Sequence, residues 1–255
     1  ADLWIVALRR GAEPRRLAAG VDLLVKPVWS PDGSLLVVRR SLADGYQLSA
    51  VRISDGSERA LAVSANALFP VAFVPGGQSL LYAALGSDGS TLLSVDVKGG
   101  ARTEVAQLGA GLTRDWSLSP DGRQLAYLAL SFTGAEASSR AYVLDLATGS
   151  VQAVGDPSAE AFGPVWSPDG RLVIGSLGSD GGALLTAEGD ALQRAARGFE
   201  VPLAAGRSSS GLVVRSFTGS SVLAPGAASL TFVGPDGARK TIASGEVTFV
   251  GWIEP

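Results

Sequence analysis

Short apolar runs alternate with polar, turn-forming clusters along the whole chain, a pattern of strands and tight turns more than of long helices. Period-two alternation marks Leu48-Ser49-Ala50-Val51-Arg52-Ile53, Leu92-Leu93-Ser94-Val95-Asp96-Val97 and Tyr142-Val143-Leu144-Asp145-Leu146. Each is preceded by a more continuous apolar run, Leu35 to Val38, Leu80 to Ala84 and Leu125 to Leu130, with a further run at Leu172 to Ile174. Links containing Asp55-Gly56, Gly99-Gly100, Thr148-Gly149 and Glu188-Gly189 follow, and such Gly-containing links predict hairpins.

The pattern repeats. Val28-Trp29-Ser30-Pro31-Asp32-Gly33 returns as Trp116-Ser117-Leu118-Ser119-Pro120-Asp121-Gly122 and as Val165-Trp166-Ser167-Pro168-Asp169-Gly170, with a degenerate copy at Phe73-Val74-Pro75-Gly76-Gly77. The prolines at 31, 75, 120 and 168 are spaced 44, 45 and 48 residues apart, the size of a four-stranded propeller blade. The Ser-Pro-Asp-Gly turn needs no ligand to explain it. Pro presets the first central position, Asp bonds its own backbone, and Gly takes the left-handed position before the next strand.

This reading predicts an all-β, six-bladed β-propeller in a single domain over residues 1–255. Its blades fall at about 28–61, 70–105, 114–154, 164–196 and 201–242. The closing blade is built from both chain termini, 246–255 with 1–19: Leu3 to Leu8 and Arg15 to Ala18 supply its third and fourth strands, and Val247 to Ile253 its first. Its second strand is expected upstream of Ala1, because a chain that does not open on Met is expected to continue there into a signal, a lipid anchor or another domain.

Composition then narrows the chemistry. The 255 residues include no His, no Cys and no Met. That excludes a Ser-His-Asp triad, a thiolate nucleophile, an ordinary zinc or copper site and any disulfide. Carboxylates, hydroxyls, Arg and backbone are left, and no metal or cofactor is expected. The net charge of −3 has the wrong sign for a nucleic-acid footprint. No stretch approaches about 18 consecutive apolar residues, so no transmembrane helix is predicted.

The repeated Trp-Ser-Pro-Asp-Gly, the apolar strand after it and the Gly turn beyond resemble the repeat of TolB-type propellers, also called WD40-like or PD40 repeats. The resemblance covers the whole chain and is specific for fold. It implies an exported, periplasmic or extracellular protein of the bacterial cell envelope, a monomer that serves as a non-catalytic scaffold for protein–protein interaction or sensing. Such repeats also occur in actinobacterial lipoproteins and in the propellers of prolyl oligopeptidase-like enzymes. Two alternatives therefore stand: an enzyme or a small-molecule or glycan binder using the channel mouth, or the non-catalytic propeller of a larger hydrolase.

Propeller geometry places Lys26, Asn66, Phe69, Arg114, Asp115, Phe162 and Glu200 on one face near the axis, as candidate ligand- or partner-binding residues. Arg39, Arg40 and Arg215 join them at second-strand ends, and two long insertions, Ser131 to Arg140 and Thr218 to Ala228, are expected to protrude there. Asp115, Glu160, Glu200 and Glu246 are carboxylates outside obvious turns. In the enzyme alternative Asp115 and Glu200 serve as acids and Arg114 as an anion anchor; otherwise these charges form salt bridges lining the ring, such as Asp115 with Arg114 or Lys26. Trp29, Trp116 and Trp166 hold equivalent repeat positions and are expected to pack between neighbouring blades.

Overall fold

The structure is a computed structural model that describes residues 1–7, 10–109, 111–133, 136–187, 190–195, 197–206, 211–245 and 247; the side chains of Thr133 and Glu136 are outside this description. Every regular element among these residues is a strand. The strands form five four-stranded antiparallel sheets and one of two strands, the arrangement of a six-bladed propeller. The chain falls into two compact units, Ala1–Ala110 and Gly111–Pro255.

The first unit opens with the two-stranded sheet, β1 (Leu3–Ile5) and β2 (Arg15–Ala18). Blade 1 follows as β3 (Val28–Trp29), β4 (Leu35–Leu42), β5 (Gly45–Arg52) and β6 (Glu58–Ser64). Blade 2 is β7 (Ala67–Phe73), β8 (Ser79–Gly86), β9 (Gly89–Asp96) and β10 (Arg102–Gln107). Successive side chains of a strand point to opposite faces, so a strand buried on both reads as one apolar run. In β4, Leu36 and Val38 pack with Leu17, Ala18 and Val21 beside the two-stranded sheet, whereas Val37 between them packs with Leu68, Leu80 and Tyr82 of blade 2. That double burial is why the Leu35 to Val38 run does not alternate.

The second unit holds blade 3, β11 (Leu112–Leu118), β12 (Gln124–Thr133), β13 (Glu136–Asp145) and β14 (Val151–Val154). Blade 4 is β15 (Glu160–Trp166), β16 (Leu172–Gly178), β17 (Gly181–Thr186) and β18 (Ala191–Arg194). Blade 5 is β19 (Phe199–Ala205), β20 (Leu212–Phe217), β21 (Ala228–Val233) and β22 (Arg239–Ser244). In β16, Leu172 and Ile174 pack toward Ala126, Leu128 and Ala141 of blade 3, and Val173 packs toward Leu212 and Val214 of blade 5.

The first strands of the five full blades begin at Val28, Ala67, Leu112, Glu160 and Phe199. The predicted insertion Ser131 to Arg140 is corrected: β12 and β13 pair in unbroken register from Gln124↔Asp145 to Thr133↔Glu136, so the segment extends a hairpin. Ser, Ala and Phe there satisfy the ladder as readily as a loop, and no turn residue interrupts them before Gly134. The first strand expected for the closing blade, beyond Val247, lies outside the described residues, as do Glu188-Gly189 and Glu246.

The tryptophans divide. Trp166 Nε1–H donates to the Ser117 carbonyl of blade 3 at 2.9 Å, the expected link between blades. Trp29 is instead 51% exposed.

Candidate functional site

In the first unit the chain leaves β2 through Val21-Asp22-Leu23-Leu24-Val25-Lys26. Val21 and Val25 are buried, while Leu23 and Leu24 between them are 79% and 90% exposed. Asp22 holds this bend. Its amide donates to the Arg39 carbonyl at 2.9 Å, and its Oδ1 accepts the Leu24 amide at 2.9 Å, an Asx turn in which a short acid replaces a backbone acceptor. Its Oδ2 accepts Arg39 Nε at 3.0 Å and Nη2 at 2.8 Å, with Ser41 Oγ at 3.3 Å. The Leu24 amide, helped by Arg39 and Ser41, keeps the Asp22 carboxyl below the usual carboxylate range despite its partial burial.

Arg39 comes from the middle of β4 and is buried. Its third guanidinium nitrogen donates to the Leu68 carbonyl of blade 2 at 3.2 Å. Its Cζ lies 4.8 Å from the Tyr46 ring centroid and 4.5 Å from that of Phe69. A planar, weakly hydrated cation between two ring faces recovers in cation–π contact part of what it loses in water.

Of the residues singled out in this unit, Phe69 therefore serves the Arg39 cage. Lys26 is exposed two positions beyond Leu24. Asn66 lines a recess of about 210 Å³ with Gly86, Asp88, Thr91 and Gln107. Arg40 pairs with Glu58 at 2.5 Å.

In the second unit Arg114 and Asp115 sit at a bulge in β11, where the register slips between Arg114 and Ser117. Asp115 is the one non-glycine at positive φ among the described residues, at +53°. The matching bulge of blade 4 carries Gly163 at φ +40°, where an added Cβ would lie 2.4 Å from the Pro202 carbonyl oxygen of blade 5. Only glycine fits there, whereas Asp, a residue that tolerates the left-handed region, serves at 115.

Arg114 Nε and Asp115 Oδ2 are 3.6 Å apart, both side chains half exposed. Burial pushes the Asp115 carboxyl above the usual range, and Arg114 opposes it. Glu160, at the start of β15, is likewise raised by burial and opposed by Arg114. The arrangement can hold a proton or bind a polar group, with Glu160 in the place expected of Glu200.

Glu200 and Phe162 are buried. The Glu200 carboxylate accepts Arg239 Nη1 and Nη2, each at 2.5 Å, and Ser216 Oγ at 2.9 Å. Glu200, Ser216, Thr231 and Arg239 follow a diagonal across blade 5, one residue per strand. Phe162 stacks on Phe199 at 5.0 Å, and Phe199 on Phe217 at 4.9 Å. Arg215 Nη2 donates to the Val247 carbonyl at 2.6 Å. Of the expected insertion Thr218 to Ala228, all but Ala228, which opens β21, forms a loop, closed by Thr218 N–H to Ala227 O and Gly219 N–H to Pro225 O, and it carries Leu223 at 98% exposure.

Sequence reasoning missed Asp22, Leu23, Leu24 and Arg239. The signal for the first three was local: adjacent leucines directly after Asp and outside any alternating segment. For Arg239 there was none, since its partner lies 39 positions away.

No protein-family model and no curated protein sequence matches the chain. Solved structures do. TolB from Acinetobacter baumannii is 18% identical over 96% of this chain with a TM-score of 0.65, and the chain spans 60% of that protein. The fold is that of a TolB-type propeller. An oligogalacturonate lyase in complex with manganese is 15% identical over 95% of this chain and 73% of its own, TM-score 0.68. The β-propeller domain of the Trilobed protease from Pyrococcus furiosus, described as having an open velcro topology, is 14% identical over 96% of this chain and 75% of its own, TM-score 0.62. TolB-type propellers thus share their architecture with parts of enzymes, and fold alone does not choose between scaffold and catalyst. Among the described residues no group of three or more Asp or Glu side chains is placed to hold a metal ion.

Proposed function

We propose that this chain is a non-catalytic propeller scaffold for protein–protein interaction or sensing in the cell envelope, with the Asp22–Lys26 bend as a contact surface. The observation that carries this reading is the display of Leu23 and Leu24 on a bend tied to a buried ion pair. Covering a leucine side chain is worth about 1.5–3 kcal/mol. A loop already fixed by Asp22 and Arg39 loses little further entropy when a partner covers it. The partner presents an apolar cleft, and its acidic rim faces Lys26. The resemblance to TolB-type repeats supports the envelope location.

The test is a photo-crosslinking residue at Lys26 in the full chain, used in native lysate with and without the Leu23→Ser/Leu24→Ser substitutions. A discrete adduct that the double variant no longer captures supports the reading. A partner retained equally by both proteins overturns it.

A second reading rests on Arg114, Asp115 and Glu160: a small-molecule or glycan site in which a raised carboxyl transfers a proton near a guanidinium anchor. A thermal-shift screen of glycosides and small acids checks it, with Arg114→Ala expected to abolish any shift.

A further inference from the structure

The second repeat departs from the others at its turn, and the departure has a structural consequence. In blade 1 the Ser30 hydroxyl donates to Asp32 at 2.6 Å and accepts the Leu35 amide at 2.9 Å, and blade 3 repeats both contacts with Ser119, Asp121 and Gln124. Blade 2 has Val74 and Gly76 in place of Ser and Asp. Its turn still closes through Gly77 N–H to the Val74 carbonyl at 3.0 Å, but Gly76 stands at φ +92°. Pro followed by a positive φ is the type II turn, with its central peptide turned over relative to a type I turn. Blade 2 therefore brings neither a carboxylate nor a side chain to this spot.

Beside that turn, between blades 1 and 2, lies an open recess of about 880 Å³. Leu35, Ala50 and Val97 give it an apolar lining, and Arg52, Arg59 and Lys98 reach it from exposed positions. Its acids are already engaged. Glu58 pairs with Arg40, and Asp32 accepts the hydroxyls of Ser30 and Ser34 and the Ser34 amide. Arg52 lies 3.5 Å from Asp55, while Arg59 and Lys98 enter no ion pair among the described residues.

We propose that this recess binds an extended acidic peptide segment of a partner protein. An extended chain sends alternate side chains to opposite sides, so apolar residues reach Leu35, Ala50 and Val97 while the carboxylates between them reach Arg59 and Lys98. The volume falls within the range of ligand-binding clefts. An Asp at position 76, as in the other turns, would add a carboxylate where the ligand's own must sit. The degenerate turn is what leaves the cations available.

The test uses fluorescein-labelled Glu-Leu-Glu-Leu-Glu and Gln-Leu-Gln-Leu-Gln peptides with the whole chain, read by anisotropy and by amide NMR shifts. The acidic peptide is expected to bind roughly tenfold tighter or more, shifting the Gly76, Gly77 and Gln78 amides, and an Arg59→Glu/Lys98→Glu variant is expected to lose roughly tenfold or more. Both side chains are exposed, so that variant keeps the wild-type unfolding temperature. Equal binding of the two peptides, binding of neither, unchanged binding by the variant, or free glutamate matching the peptide would each overturn the proposal. The Leu23→Ser/Leu24→Ser variant is expected to bind the peptide like wild type, which separates this site from the Asp22–Lys26 surface.

Discussion

The two units each contain a buried arginine–carboxylate pair, and the two pairs are built in opposite senses. In the first, both members are enclosed, with Arg39 at 6% and Asp22 at 10% side-chain exposure. In the second only the acid is enclosed, with Glu200 at 2% and Arg239 at 31%. The cation of the first pair has other partners, the Leu68 carbonyl and the faces of Tyr46 and Phe69. The anion of the second pair has Ser216 besides Arg239. What differs is the charge left behind when a pair is broken, and that sets the cost more than the attraction itself does.

Arg239→Ala should therefore have the largest effect, about 3–5 kcal/mol by denaturant unfolding, because Glu200 would stay enclosed without its cationic partner. Adding Glu200→Gln to that variant should recover part of the loss, since a neutral amide costs less to bury. No recovery would mean that packing dominates and the comparison fails.

Asp22→Ala comes next, at about 1–3 kcal/mol, because Arg39 keeps its carbonyl and its two rings. The effect should also appear as faster amide exchange at Leu24, whose Asx turn is lost.

The pair carries a pH signature with a definite sign. The folded Asp22 carboxyl titrates below its unfolded value of about 3.9, so its contribution is fully present above that value and disappears as pH falls through the lower folded value. The stability difference between wild type and Asp22→Asn should stay constant above about pH 5 and shrink in more acid solution. A difference that grows in acid would reverse the assignment.

Leu24→Ser should have the smallest effect on stability, within about 0.5 kcal/mol, because the side chain is almost wholly in water. A substantial loss would show that Leu24 packs within the fold, and the bend would then display Leu23 alone.

The repeats made most of the fold legible, and particular residues show why. Ser30, Pro31, Asp32 and Gly33 form their turn with each other, so the turn could be read from four adjacent letters. The hairpin Gln124 to Asp145 was misjudged in its upper half because Ser131, Phe132 and Ser138 suit a ladder and a loop equally. Candidate residues were placed by strand position alone, which could not tell that Glu200 and Phe162 are buried.

The sequence by itself determined the period, the strand type, the turn chemistry and the exclusion of histidine and thiol chemistry. Each depends on residue identity or on neighbours a few positions apart. The tertiary structure alone decided which charges met: Asp22 with Arg39 across 17 positions and Glu200 with Arg239 across 39. It also decided that Leu23 and Leu24 stand in water, and that the altered second turn borders an open recess. Spacing along the chain carries no record of such meetings, because they are set by the register and twist of strands within a sheet and by how one sheet packs against the next.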